Sequence, residues 1–316
     1  MNARTASQTR RPTNVGLDRP GNELGWQIIK PKVTQPKRIR INGIDLTYAE
    51  RGKGEPVILV HGALGDYRTW SPQLDALSHR YHVISYSRRY HQAGVLNSEA
   101  RDYTHRRNVD DLIAIIDAIQ LGPVHLVGHS YGGAVAALVA MERPELVGSL
   151  VLGEPTLFSM LSHPNDMVSL RLHRIALNVV RKLTEHGEQR LAVHEYCNIV
   201  LGKDSLAELR LEALLGITQN IHTLGPTLRT YFEVTELDRS RARTIKTPTL
   251  VIAGELSPKI YGAIIREVVN SLPNSELLTL AGASHGLQID NAVDFNEAVL
   301  EFLSRNELAV RGEKRQ

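Results

Sequence analysis

One serine in this chain of 316 residues stands where a nucleophile can be built. Ser130 is the centre of Gly128-His129-Ser130-Tyr131-Gly132, a G-x-S-x-G pentapeptide lying between an apolar run, "VHLVG", and an alanine-rich run of helical character, "YGGAVAALVAME". Strand, sharp turn and helix are the context in which this pentapeptide lifts a serine hydroxyl above a sheet edge. Small residues at Gly128 and Gly132 let the chain turn tightly enough to strain the serine backbone. The corner also puts Ser130 at a helix N-terminus, where N–H groups and the helix dipole favour developing negative charge. A serine hydroxyl is a poor nucleophile near neutral pH, so it needs a base within hydrogen-bond reach and a third group to orient that base. His125 and His129 flank the serine, but strand alternation and elbow geometry point them away from it.

The elements that must position such a site are legible from periodicity. "KRIRIN" and "IDLTYAERG" read as strands joined at Asn42-Gly43, a hairpin turn signal. "PVILVHG" is an unbroken apolar run, expected of a parallel strand buried on both faces. Ser71-Pro72 opens a helix through Leu77, "YHVISYS" is a strand, and apolar residues at Val109, Leu112, Ile113, Ile116 and Ile119 predict a helix from Asn108 to Gln120. That spacing assigns Asp110, Asp111 and Asp117 to a mostly solvated face. "LVGSLVLGEP" is a further strand. The βα alternation then breaks, and Thr156 to about Arg243 reads as helices alone: Met167 to Glu185, Gln189 to Leu201, and Ser205 to Asn220, the last opened by a Ser205/Glu208 capping box. "TPTLVIAG", a helix from Tyr261 to Leu272, "SELLTLAG" and a helix from Val293 to Arg305 complete the pattern. Strands alternating with helices predict an α/β protein with a mainly parallel, doubly wound sheet of eight strands, its ligand site at the carboxyl ends of the strands. The expected division is a basic, disordered arm at 1–36, a core at 37–155 and 244–306, a helical insertion at 156–243, and a tail at 307–316.

Composition narrows the function classes. With 42% hydrophobic and 22% charged residues the chain is an ordinary globular protein, and its net charge is +3. The first forty residues hold nine basic side chains against two acidic ones, leaving a mildly acidic body without a nucleic-acid footprint. Cys197 is the sole cysteine, which excludes an intrachain disulfide and a cysteine zinc site and suggests the cytoplasm. No stretch approaches the ~18 apolar residues of a membrane span. No phosphate loop, dinucleotide fingerprint or metal-spaced His pair appears, so no cofactor and no metal are expected.

At this point the sequence resembles the α/β-hydrolase fold superfamily from about Arg38 to Asn306, through "HG" at His61-Gly62, "GHSYGG" at the elbow, the helical insertion after the sixth strand, and "GASHG" after the eighth. Within it the chain is similar to single-domain esterase, lactonase and haloperoxidase-like hydrolases. It lacks the Asp that dehalogenases and epoxide hydrolases carry at the position of Ser130. The resemblance implies that the insertion is a cap over the site and that His285 is the base, in the chain order Ser…acid…His. His61 comes second and reads as structural, its ring shaping the adjacent loop. Most relatives place the acid in G-x-x-D after the seventh strand, where this chain has Gly254-Glu255-Leu256-Ser257. Two carboxylates remain open, Glu255 in that loop and Glu154 at the end of the sixth strand. Glu154 is preferred, because a shift of two residues along an extended segment changes reach by about 6–7 Å. Asp290 and Asp294 are read as caps of the last helix.

Acyl transfer also needs two N–H donors aimed at the developing oxyanion. Tyr131 N–H, directly after the serine, is one; Ala63 N–H is the other by family analogy, with Leu64 as a substitute. Arg88, Arg89 and His91, in "SYSRRYHQAG", are assigned to the mouth of the site or to the surface. His61, Leu64, Leu157, Phe158 and Met160 are expected to line the pocket, and the apolar insertion residues favour a small-molecule substrate with an apolar acyl or alcohol group. The expected activity is cofactor-free cleavage of a carboxylic ester, a lactone or a thioester through an acyl-enzyme on Ser130. The rivals are a lyase or perhydrolase using the same triad, and a ligand-binding protein of the same fold with little or no turnover.

Overall fold

The computed structural model describes residues 35–91, 102–120, 122–202, 211–233 and 236–308. The arm expected at 1–36, the Ser205/Glu208 capping box and the tail at 307–316 lie outside them, apart from residues 35–36 and 307–308.

Eight strands form one sheet: β1 (Lys37–Ile41), β2 (Ile44–Arg51), β3 (Pro56–Val60), β4 (His82–Tyr86), β5 (Val124–His129), β6 (Val147–Gly153), β7 (Thr249–Gly254) and β8 (Ser275–Leu280), in the order β1-β2-β4-β3-β5-β6-β7-β8. The β1–β2 and β2–β4 pairings are antiparallel and all others parallel. At the β1–β2 turn Asn42 and Gly43 both have positive φ, as a two-residue hairpin turn of right-handed twist requires.

Helices cover both faces. They are α1 (Ser71–Leu77), α2 (His105–Ile119), α3 (Tyr131–Glu142), α4 (Pro164–Glu185), α5 (Gln189–Leu201), α6 (Leu211–Gln219), α7 (Leu224–Thr230), α8 (Arg239–Ala242), α9 (Lys259–Ser271), α10 (Leu287–Asp290) and α11 (Ala292–Arg305). Strand alternation divides the core. Ile58, Val60, Leu126, Leu150 and Leu152 pack with α2, α3 and α9, whereas Val57, Leu59, Val127, Val151 and Ile252 pack with Trp70, Leu77, Phe295, Val299 and Phe302. α2 starts three residues before the predicted Asn108, because Thr104 caps it by accepting from the Arg107 amide at 3.1 Å. α4 starts at Pro164, a residue suited to a first helical turn.

One sequence assignment in this layer fails. Asp111 is not on a solvated face; it is 1% exposed and receives both arms of the Arg89 guanidinium, at 2.7 and 2.9 Å. A carboxylate can sit on the buried stripe of α2 because a bidentate arginine replaces its water. Arg89 is itself 2% exposed.

Between β6 and β7 lie α4 to α8, resting against loops at the carboxyl edge of the sheet. Asn220 donates to Asp66 at 2.8 Å and the His222 ring to the Tyr90 carbonyl at 2.8 Å, while Ser159 ties two parts of the insertion by donating to the Leu237 carbonyl at 2.7 Å. Among the described residues no helix is long and apolar enough to cross a membrane.

Candidate active site

The register of the central strands decides which side chains can meet. His129 of β5 pairs with Gly153 of β6, and Gly153 with Ile252 of β7. Ser130 and Glu154 each follow one member of the first pair, so they leave the sheet side by side at the same height. Backbone hydrogen bonds tie them: Ser130 N–H donates to the Gly153 carbonyl at 2.8 Å, and the Thr156 amide to the Ser130 carbonyl at 3.2 Å. Both residues occupy the left-handed region, Ser130 with φ 53° and Glu154 with φ 41°. Such a backbone costs roughly 1–3 kcal/mol per residue and persists only where surrounding structure holds it. Gly132 permits the turn: a Cβ there would lie 2.2 Å from the Val60 carbonyl oxygen.

His285 reaches this pair from the loop after β8. Its Nε2 is 2.9 Å from Ser130 Oγ, and its Nδ1 is 2.6 Å from Glu154 Oε2. A carboxylate only accepts, so the neutral ring carries its proton on Nδ1 and leaves Nε2 free to accept the serine proton. Glu154 Oε1 accepts the Gly254 amide at 2.8 Å, which fixes the carboxylate plane. All three side chains are buried, with Ser130 at 2%, Glu154 at 1% and His285 at 3% exposure. Glu255, the other carboxylate considered, is exposed and accepts the Gly282 amide at 2.8 Å; the carboxylate on His285 is that of Glu154.

His285 is held from below as well. His129 Nε2 donates to the His285 carbonyl at 2.7 Å, and burial lowers the His129 pKa to about 3, so the ring stays neutral. Asp290 does not cap the last helix: it accepts the Ser284 amide at 2.8 Å and the Ser284 hydroxyl, bracing the loop just before His285. The α11 cap is the Asn291 side chain. The ring of Tyr261 lies flat on His285, with centroids 3.9 Å apart.

On the other side of Ser130, Tyr131 N–H is the first amide of α3 and has no carbonyl of its own helix to serve. Its ring is clamped between the Arg88 guanidinium, 4.4 Å from the centroid, and the His105 ring, stacked at 3.9 Å. The loop bearing Ala63 passes close by, since a Cβ on Gly62 would lie 3.1 Å from Ser130 Cβ. Arg88 Nη2 donates to the Gly62 carbonyl at 2.9 Å, and Arg88 Nε to the His61 carbonyl at 3.0 Å. In a planar trans peptide the N–H opposes the C=O, so the Ala63 amide faces away from Arg88. Leu64 follows with φ 57° and is buried.

Two sequence assignments need correction here. Arg88, Arg89 and His91 are not surface residues; all three are at most 2% exposed. The Arg88 donors are spent on backbone carbonyls and on Tyr103, while His91 bonds the Gly65 carbonyl at 2.8 Å. His61 offers no free group to a pocket, because Nδ1 donates to the Gly62 carbonyl at 2.8 Å and Nε2 accepts the Arg88 amide at 2.9 Å. Burial, with the Arg88 charge beside it, lowers its pKa to about 3. Leu157, Phe158 and Met160 are buried in the large core cluster. The sequence reading missed Arg88 as a brace, because the carbonyls that accept its donors belong to a loop far away in the chain. No group of three or more His, Cys, Asp or Glu among the described residues is placed to hold a metal ion.

Residues 57–298 match the model of the alpha/beta hydrolase family, and the chain belongs to that family. It is 30% identical over 261 residues to a putative carbamate hydrolase RutD of Pseudomonas syringae, covering 78% of this chain and 93% of that protein. It is 27% identical to epoxide hydrolase 3 of Xenopus tropicalis, covering 87% and 78% of the two chains. Among solved structures, the enol-lactonase of Burkholderia xenovorans shares the fold with a TM-score of 0.69 at 20% identity, over 85% of this chain and all of that one.

Proposed function

We propose that this protein is a cofactor-free serine hydrolase that opens a carboxylic ester, a lactone or thioester included, through an acyl-enzyme on Ser130. One observation carries the reading: the unbroken contact series from Ser130 Oγ through His285 to Glu154, at 2.9 and 2.6 Å. In the proposed cycle Nε2 takes the serine proton as Oγ attacks the carbonyl carbon. Glu154 stabilises the imidazolium without taking its proton. The amides of Tyr131 and Ala63 receive the oxyanion. The imidazolium then gives its proton to the leaving oxygen, and water enters with His285 again as base. The helices between β6 and β7 serve as the cap, with Leu157, Phe158 and Met160 excluding water above the reacting bond.

Ser130, where the resemblance places Asp in epoxide hydrolases, favours acyl over alkyl transfer. Titration with a fluorophosphonate probe tests the proposal. Stoichiometric labelling of Ser130, abolished in Ser130→Ala, is expected, together with turnover of p-nitrophenyl esters by the parent alone. A parent that resists the probe and cleaves no ester or simple lactone refutes it in favour of a ligand-binding or lyase role.

A further inference from the structure

Rings from the insertion and from α9 gather beside Ser130 and His285. Phe158, His173, Tyr196, Tyr231, Phe232 and Tyr261 form one connected cluster whose neighbouring centroids lie between 4.9 and 6.5 Å apart. The cluster meets the site twice: Tyr261 stacks on His285, and the Tyr231 hydroxyl comes within reach of the hydroxyls of Ser130, Tyr196 and Tyr261. Yet the hydroxyls of Tyr231 and Tyr261 and Nε2 of His173 close no well-formed hydrogen bond with a described residue. Tyr231 and Tyr261 are 0% exposed and His173 8%. Buried polar atoms are rarely left unmatched, because each then keeps its full desolvation cost. Two such hydroxyls adjoining Ser130, with the His173 ring in the same cluster, mark a place where a ligand completes the bonding.

Charge and position narrow the ligand. Burial lowers the His173 pKa to about 4, so the ring is neutral near pH 7. The Arg174 guanidinium lies over Phe232 from an exposed position of α4, and the Arg88 donors serve His61, Gly62 and Tyr103. A carboxylate buried against these rings would find no cation to pair with among these residues. The hydroxyls gather around the His285–Ser130 contact, and it is His285 that returns a proton to the leaving oxygen. They therefore face the alcohol half of an ester.

We infer that Tyr231, Tyr261 and His173 form a subsite for an uncharged oxygen acceptor carried on the alcohol half of the substrate. The inference deepens the serine-hydrolase reading and takes its sense of direction from it.

Three nearly isosteric acetates test it: pentyl acetate, 4-oxopentyl acetate and 4-acetoxybutanoate, with acetate release followed by titration. The ketone is expected to exceed both others by about tenfold in kcat/KM, the effect of one hydrogen-bonded group in a buried site. Tyr231→Phe and Tyr261→Phe, which keep the rings, should each bring the ketone-to-pentyl ratio to within about threefold, chiefly through KM. Equal rates for the two neutral esters, or preference for the carboxylate, overturn the subsite. Calorimetric binding of the same acetates to Ser130→Ala separates this outcome from failure of the hydrolase reading. Tighter binding of the ketone with no acetate release by the parent leaves the subsite standing and removes the hydrolase. Binding of none of them, or equal binding of the neutral pair, removes the subsite.

Discussion

Glu154 and His285, 131 residues apart in the chain, are joined by a 2.6 Å contact between Oε2 and Nδ1. The carboxylate comes from the end of β6, and its second oxygen is pinned by the amide of Gly254 at the end of β7.

Glu154→Gln is expected to lower kcat/KM for p-nitrophenyl esters by about 10³–10⁴-fold, because a neutral amide favours the wrong imidazole tautomer. Glu255→Gln should stay within about twofold, since its carboxylate serves the Gly282 amide. The reverse pattern would move the acid to the β7 loop.

Arg88 should matter without touching substrate. Arg88→Met leaves two buried carbonyls without their donor, and a loss of roughly 2–4 kcal/mol in urea unfolding is expected. If the arginine aims the Ala63 amide, kcat falls about 10–100-fold with little change in KM. A stability loss with intact kcat would reduce Arg88 to a structural brace.

Acid should destabilise the fold well before its carboxylates titrate. Burial holds His61, His105 and His129 at pKa values of about 3. In the unfolded chain each binds a proton near pH 6.5. Between those limits the unfolded state carries more protons, so stability falls as pH drops, at about 1.4 kcal/mol per pH unit for each ring. It should be flat in these groups above about pH 7. Urea midpoints at pH 7.5, 6 and 5 check this, and an unchanged midpoint at pH 5 would mean that the folded protein accepts those protons.

Gly132→Ala is the steric test of the elbow. A Cβ 2.2 Å from the Val60 oxygen cannot be accommodated without parting α3 from β3. A loss of roughly 3 kcal/mol or more is expected by thermal or chemical unfolding. A fully stable, active variant would show that the corner relaxes more easily than its packing indicates.

The sheet and the elbow were legible in the sequence because each rests on a local signal: apolar runs for β3, β5 and β7, alternation for β1 and β2, and small residues around Ser130. Glu154 could be preferred over Glu255 because strand adjacency is a short-range consequence of the fold. The fates of Asp111 and Arg88 were not legible. Both carry charge on segments whose polarity reads as surface, and only the bidentate partner on another element, or two carbonyls aligned by a distant loop, makes burial tolerable. The ring cluster escaped for a related reason. Tyr196, Tyr231 and Tyr261 are spread over α5, the end of α7 and α9, and their convergence depends on how the inserted helices pack.

Because the Ser130 amide is bonded to the Gly153 carbonyl and the Glu154 amide to the Ile252 carbonyl, neither can drift without tearing the middle of the sheet. Imidazole alone arrives on a loop. Gradual warming should therefore silence this machinery first by swinging that one arm outward, with far-ultraviolet ellipticity still intact, and cooling should restore it. Meanwhile the turn beyond β7 holds the Glu154 carboxylate by a main-chain amide and is bonded through Glu255 and Leu256 to the segment leading to His285, so a segment grafted there should disturb both.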